Sequence, residues 1–279
     1  MRIFVIAKLT FREAARRKIA LTAFLLGLAF LILYNLAFYF VRQQPFGMPS
    51  AALARGEAVN LLLMAGMYAA NFMAGVMAAL LSADSLAGEI NSGAIHTVVS
   101  KPVWRAEVVL GKWLGFAGLM AMYVLLLAGG LILSVGVQAG YFPTNVLTGL
   151  GLIYLATVLV MSITLAFSSR LSTLATGAAV FGMYGFAFLA GWVEQIGSVL
   201  KSQTAVDIGV AASLLMPSEA LWRRASYEMT SPVLRALGNF NPFGGGGDAV
   251  PSPLMVGYAV LFALAALGLA VRTFSRRDL

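Results

Sequence analysis

Residues Val146–Val193 read VLTGLGLIYLATVLVMSITLAFSSRLSTLATGAAVFGMYGFAFLAGWV, and Arg170 is their only charged residue. A helix rises 1.5 Å per residue and the hydrocarbon core of a bilayer is roughly 30 Å thick, so one straight helix cannot use the whole stretch. The reading that fits is a hairpin of two apolar helices, Val146–Ser169 and Leu171–Val193, turning at Arg170. Four more stretches match these two in length and carry no Asp, Glu, Lys, Arg or His: Ile19–Val41, Ala58–Ala83, Trp113–Val137 and Leu254–Val271. Each is near the 18–25 residues that a transmembrane helix needs. The expected fold is an all-α integral membrane protein with six transmembrane helices.

Composition agrees. Hydrophobic residues make up 60% of the 279 and charged residues 11%, where a soluble chain carries roughly 25% charged. The net charge of +8 does not predict a nucleic-acid partner, because the basic residues flank apolar runs and form no separate patch. With no cysteine there is neither a disulfide framework nor a thiolate metal site.

Lys and Arg concentrate on the cytoplasmic side of membrane proteins. With the N-terminus inside, the inner segments hold Arg2, Lys8, Arg12, Arg16, Arg17, Lys18, Lys101, Arg105, Lys112, Arg170, Arg272, Arg276 and Arg277. The outer segments hold Arg42, Arg55, Lys201, Arg223, Arg224 and Arg235. Both termini are therefore expected in the cytoplasm. Ile19–Val41 runs 23 residues, longer than the roughly 7–15 of a signal-peptide core, and reads as an anchor.

Residues 1–18 are too polar to insert. Lys8, Arg12 and Arg16 recur every four residues, while Ile3, Phe4, Ile6, Ala7, Phe11, Ala14 and Ala15 form an apolar side. That pattern predicts a basic amphipathic helix on the membrane surface; the plainer reading is an anchoring segment that obeys the charge rule. Residues 82–112, between the second and third spans, form the most charge-dense inner loop and contain His96, the only histidine. Leu86, Ile90, Ile95 and Val98-Val99 give it a short helical stretch that Gly93 can break and Lys101-Pro102 ends. It either docks a soluble partner or is a solvated connector. The outer loop 194–252 is long; in it Ser218 could cap a helix bearing Leu221 and Trp222, and Gly244–Gly247 reads as a tether. The loop could lie on the outer face or cap the exit of a pathway.

No catalytic motif is present. Gly111-Lys112 is followed by Trp113, so the phosphate-cradling loop that needs Lys-Ser or Lys-Thr is missing. A lone histidine makes no metal site, and Met64/Met67 and Met73/Met77 read as apolar filler. The six spans lack the buried ionisable residue on which ion-coupled carriers rely; their polar groups are Asn35, Asn60, Asn71 and hydroxyls. Small residues crowd the second and third spans, which suits close packing or dimerisation.

The inner loop runs Ala87-Gly88-Glu89-Ile90, Gly93-Ala94-Ile95, Ser100-Lys101-Pro102-Val103, Arg105-Ala106-Glu107 and Leu110-Gly111-Lys112. Together with Arg12-Glu13, Arg16-Arg17-Lys18, Pro217–Arg224 and the closing Phe274–Leu279, it resembles the type-2 ABC transporter permeases. The nearest branch by these motifs is that of multicopper-enzyme and nitrous-oxide reductase maturation. His96-Thr97-Val98 departs from the more polar run seen there.

The resemblance implies a permease subunit of an ATP-driven exporter in the cytoplasmic (inner) membrane of a prokaryote. It would pair with a second copy or a similar permease and carry a separate ATP-binding subunit, where ATP and Mg would bind; no cofactor is expected in this chain. Residues 1–18 would be the elbow helix, with Lys8, Arg12, Arg16 and Arg17 at the membrane surface. The segment around Asp84–Gly93 would be the coupling helix, and Asp84, Gly88, Glu89, Gly93, Ala94, Lys101, Pro102 and Arg105 the residues that couple to the ATPase. Residues 19–279 would form the six-helix domain. A different reading is a mechanical transmitter that moves no substrate and acts through residues 194–252 on an extracytoplasmic protein.

Overall fold

The computed structural model describes residues 2–43, 52–91, 104–236, 243 and 250–276. These are helices and the turns between them. In chain order they are α1 (Arg2–Arg16), α2 (Lys18–Gln43), α3 (Ala52–Asn91), α4 (Arg105–Ala139), α5 (Val146–Ser168), α6 (Thr173–Val199), α7 (Gln203–Leu215), α8 (Ser218–Met229), α9 (Pro232–Ala236) and α10 (Pro253–Ser275). Six of them, α2 to α6 and α10, are long and apolar enough to cross a membrane. They coincide with the six stretches expected from sequence.

The helix ends follow local chemistry. The α5–α6 turn forms where expected, around Arg170, and α6 starts at the Ser172 cap, whose side chain accepts the Ala175 N–H. The Trp104 N–H donates to the Glu107 carboxylate at 3.1 Å, which closes the first turn of α4. Gly140, at φ +64°, ends α4 in the left-handed conformation that glycine adopts without strain. Leu125–Gly129 form a π-helical turn within α4.

The most buried span is α5, which packs against α3, α8 and α10, and the most exposed is α2. Leu25, Leu28, Ile32, Leu33, Leu36 and Phe40 leave the outer side of α2 uncovered. The small residues of the second and third spans serve packing inside the chain. A Cβ on Gly66 would meet the Tyr34 ring of α2 at 2.5 Å, and one on Gly75 would meet the Tyr184 hydroxyl of α6 at 2.5 Å. Met64, Met67 and Met77 are core residues at 0–2% exposure.

Two elements depart from expectation. The first is α3, whose 40 residues give a rod about 60 Å long. Asp84–Asn91 are its last turns, so up to Asn91 the expected coupling helix is not a separate element; Gly93 lies outside the described residues. The second is α7–α8, expected as helical pieces of an outer loop that lies on the outer face or caps a pathway. The two helices meet at Met216-Pro217 with a bend of 108°. Met216 is extended (φ −153°, ψ 95°), as the residue before a proline must be. Pro217 takes the cap position and Ser218 is already helical, with no side-chain cap bond at this end. The hairpin does not rest on the surface: Ala220, Leu221, Trp222, Ala225 and Met229 of α8 are 0–1% exposed. The expected tether Gly244–Gly247 lies outside the described residues.

Candidate functional site

At the basic-rich end of the bundle, α1 lies along the first half of α4. Its residues Ile6, Ala7, Thr10, Phe11 and Ala14 face inward, and Gly111 and Gly115 of α4 receive them. A Cβ on Gly115 would sit 2.7 Å from the Ala7 carbonyl oxygen and 2.8 Å from Thr10 Cβ, so only glycine allows this approach. Much of the apolar side of α1 is thus spent on protein. Its exposed strip mixes Phe4, Val5 and Leu9 with Lys8 and Arg12. Arg16 is exposed too, whereas Arg17 turns inward at the bend between α1 and α2.

Arg17 meets the end of α3. Its guanidinium donates to Glu13 at 2.8 Å and to Asp84 at 3.4 Å. The other oxygen of Asp84 accepts the Thr173 hydroxyl at 3.0 Å, at the first residue of α6. One carboxylate therefore ties three elements: the α1–α2 bend, α3 and α6. Gly88 makes room for it, because a Cβ there would collide with the Asp84 carboxylate. One residue on, the Ser85 carbonyl accepts the ammonium of the buried Lys112 at 2.7 Å, which clamps α3 to α4. Arg105 closes the end by donating to the Ser275 carbonyl of α10 at 3.2 Å.

Of the residues singled out for coupling, the structure thus brings Asp84, Gly88 and Arg105 into contacts within the chain, with the Asp84 side chain 45% exposed. Glu89 lies in α3 by its backbone; its side chain, and Gly93, Ala94, His96, Lys101 and Pro102, lie outside the described residues. Lys112 was legible only as part of a Gly-Lys motif, and nothing local announces that its ammonium is buried.

A second polar cluster lies nearer the other end, and sequence reasoning missed it. Arg223 of α8 grips Glu194 of α6 through both guanidinium nitrogens, at 2.5 and 2.7 Å, with the side chains 2% and 5% exposed. Glu219, one turn earlier on α8, accepts the Tyr68 hydroxyl of α3 at 3.1 Å; that hydroxyl in turn accepts the Trp192 indole N–H at 3.0 Å. Tyr68 is ringed by Phe188, Trp192, Trp222 and Phe243. Gly191 and Gly209 lie directly against Glu219 and Glu194, where a Cβ would overlap both side chains.

The depth of this cluster follows from α3. Asn60 marks the far end, where Tyr141 of the α4–α5 loop donates to it at 3.0 Å. Tyr68 is eight residues, about 12 Å, further in, and Asp84 is sixteen residues, about 24 Å, beyond Tyr68. Near its C-terminal end α6 contributes the buried Glu194, and α8 brings Glu219 and Arg223 inside to join it. Charges in such a place must be paired and hydrogen-bonded, and these are.

Two joined features define the site: a clasp at the basic-rich end and a buried polar cluster against the bent pair α7–α8, both gripping the rod α3. That architecture can carry a displacement from one end of the bundle to the other. No curated protein matches the sequence. Residues 4–279 match the family model of the ABC-2 family transporter protein, essentially the whole chain. The chain belongs to that family, the membrane-spanning components of ABC transporters.

Proposed function

We propose that the chain is the permease subunit of an ATP-driven exporter, working as a dimer with a second copy or a similar permease. Each permease carries a separate ATP-binding subunit at its basic-rich end, which faces the cytoplasm. The membrane is the inner membrane of a prokaryote. ATP and Mg belong to the partner subunit.

The observation that carries this reading is the continuity of α3. One helix holds Asp84 in the clasp and Tyr68 in the buried cluster. When ATP binding draws the two partner subunits together, the segment after Asn91 moves, and α3 passes the movement to α8 through the Tyr68–Glu219 bond. The uncovered apolar side of α2 supplies a surface for the second permease. In the mechanical-transmitter reading, residues 194–252 act on an external protein; α8, in the middle of that range, is buried in the bundle instead, which favours transport.

The test is co-expression with the ATP-binding subunit. Glu89→Lys should lower both co-purification of the ATPase and stimulated ATP hydrolysis. Unchanged values for both would refute the role given to the end of α3.

A further inference from the structure

The end of α10 and the α5–α6 turn enclose an open recess of about 450 Å³, lined by Ser169, Arg170, Leu269, Arg272, Thr273 and Arg276. Three arginines therefore line one concavity. Among the described residues none of the three has a carboxylate partner. Like charges left together in this way repel one another, and an anion between them removes the repulsion. Guanidinium forks suit the oxygens of a phosphate in particular.

The walls show where the phosphate comes from. Leu269 lies in the recess itself at 57% exposure, and Ala265 and Leu261, one and two turns earlier on the same side of α10, continue an exposed apolar strip away from the arginines. Following Arg170 in the chain, Leu171 and Leu174 are 37% and 85% exposed. On both sides apolar surface gives way to arginine within one helical turn. This is the profile of a bilayer where acyl chains end and headgroups begin. A soluble phosphate has no use for the leucines, and an acidic protein segment would leave them wet. Basic recesses between transmembrane helices at the inner face are suited to anionic lipid headgroups.

We infer that this recess binds the phosphate of an anionic phospholipid, with Arg170, Arg272 and Arg276 around the headgroup and the acyl chains along Leu269, Ala265 and Leu261. The inference requires only that the chain spans a membrane, so its failure would leave the permease reading standing.

The experiment uses the full chain in nanodiscs of equal parts phosphatidylcholine and phosphatidylglycerol, released into mild detergent, with retained lipid counted by native mass spectrometry. The wild type should retain phosphatidylglycerol preferentially. R272Q/R276Q should weaken that retention roughly fivefold for each charge lost, while R272K/R276K and the distant control Gln203→Ala should keep most of it. Equal retention by R272Q/R276Q and the wild type would overturn the proposal, and the Lys variant guards against reading misfolding as lost binding. A second arm adds inorganic phosphate or short-chain phosphatidylglycerol to delipidated protein and follows the melting temperature. Stabilisation by the lipid alone supports the assignment; equal stabilisation by phosphate makes this a soluble-anion site and refutes it. If R272Q/R276Q keeps its lipid and instead loses the co-purifying ATP-binding subunit, the recess is a protein contact and the inference is wrong.

Discussion

Arg223 holds Glu194 through two hydrogen bonds, at 2.5 and 2.7 Å, with both side chains almost completely buried. The pair joins α8 to α6 and so fixes α8 inside the bundle. Two ions buried this way gain little over an apolar pair of similar shape, but one ion left alone is costly. Glu194→Ala should destabilise the protein by about 3–5 kcal/mol, seen as a lower melting temperature in detergent. Replacing both residues by Met and Leu should recover much of the loss. A Glu194→Ala protein as stable as the wild type would mean that the pair is not buried.

Tyr68 should matter for its hydroxyl more than for its ring. Tyr68→Phe keeps the stacking on Phe188 but leaves both the Glu219 carboxylate and the Trp192 N–H without this partner. Loss of stability by about 1–3 kcal/mol is expected. In the permease reading, transport by the assembled complex should also fall further than its ATP hydrolysis, because the break lies beyond the coupling end. A proportional fall in both would place the defect elsewhere.

The seat of α1 on α4 depends on Gly115. In Gly115→Leu the new side chain meets the α1 backbone at Ala7 and Phe11, which does not yield as a flexible side chain would. Overpacking of this kind costs about 1–3 kcal/mol. Limited trypsin digestion should then cut at Lys8 and Arg12, sites that stay protected in the wild type while α1 is docked. The same cleavage rate in both proteins would show that α1 is held by other contacts.

Asp84→Asn separates coupling from stability. The Arg17 contact is long, at 3.4 Å, and partly exposed, so its loss should cost no more than about 1 kcal/mol. If the clasp transmits movement to α3, stimulated ATP hydrolysis should nevertheless drop severalfold in the assembled complex. An unaltered rate would reduce Asp84 to a packing residue.

The absence of native cysteine makes the orientation directly testable. Cysteine introduced at Gln203 should react with a membrane-impermeant maleimide added to intact cells. Cysteine introduced at Arg170 should react only after permeabilisation. The reverse pattern would invert the topology inferred from Lys and Arg.

The six spans were legible because burial in lipid is written in composition: a stretch of about 20 residues without charge has few other uses. Even the softest boundary, at Arg170, was visible, since a length argument alone forbids one helix there. The motifs around Gly88, Arg105 and Lys112 were legible as a family resemblance, and the family match bears out the permease type at that level. The extra length of α3 was not, because Asp84 and Glu89 look like loop residues until Arg17 and Thr173 are brought to Asp84 from 67 and 89 residues away.

The hairpin α7–α8 is the sharpest case. Its charges, Asp207, Glu219, Arg223, Arg224 and Glu228, mark it as an aqueous loop by any local measure. Pro217 announces a break, but not its direction. Local sequence thus determined which six helices are long and apolar enough to cross and which end of the bundle carries the basic charge, since each depends only on what a residue and its neighbours prefer as solvent. That the loop turns inward, with Arg223 matched to Glu194 and Glu219 to Tyr68, was decided by tertiary structure alone. A charge can leave water only when its partner waits at hydrogen-bond distance, and those partners lie on other helices, from 29 to 151 residues away.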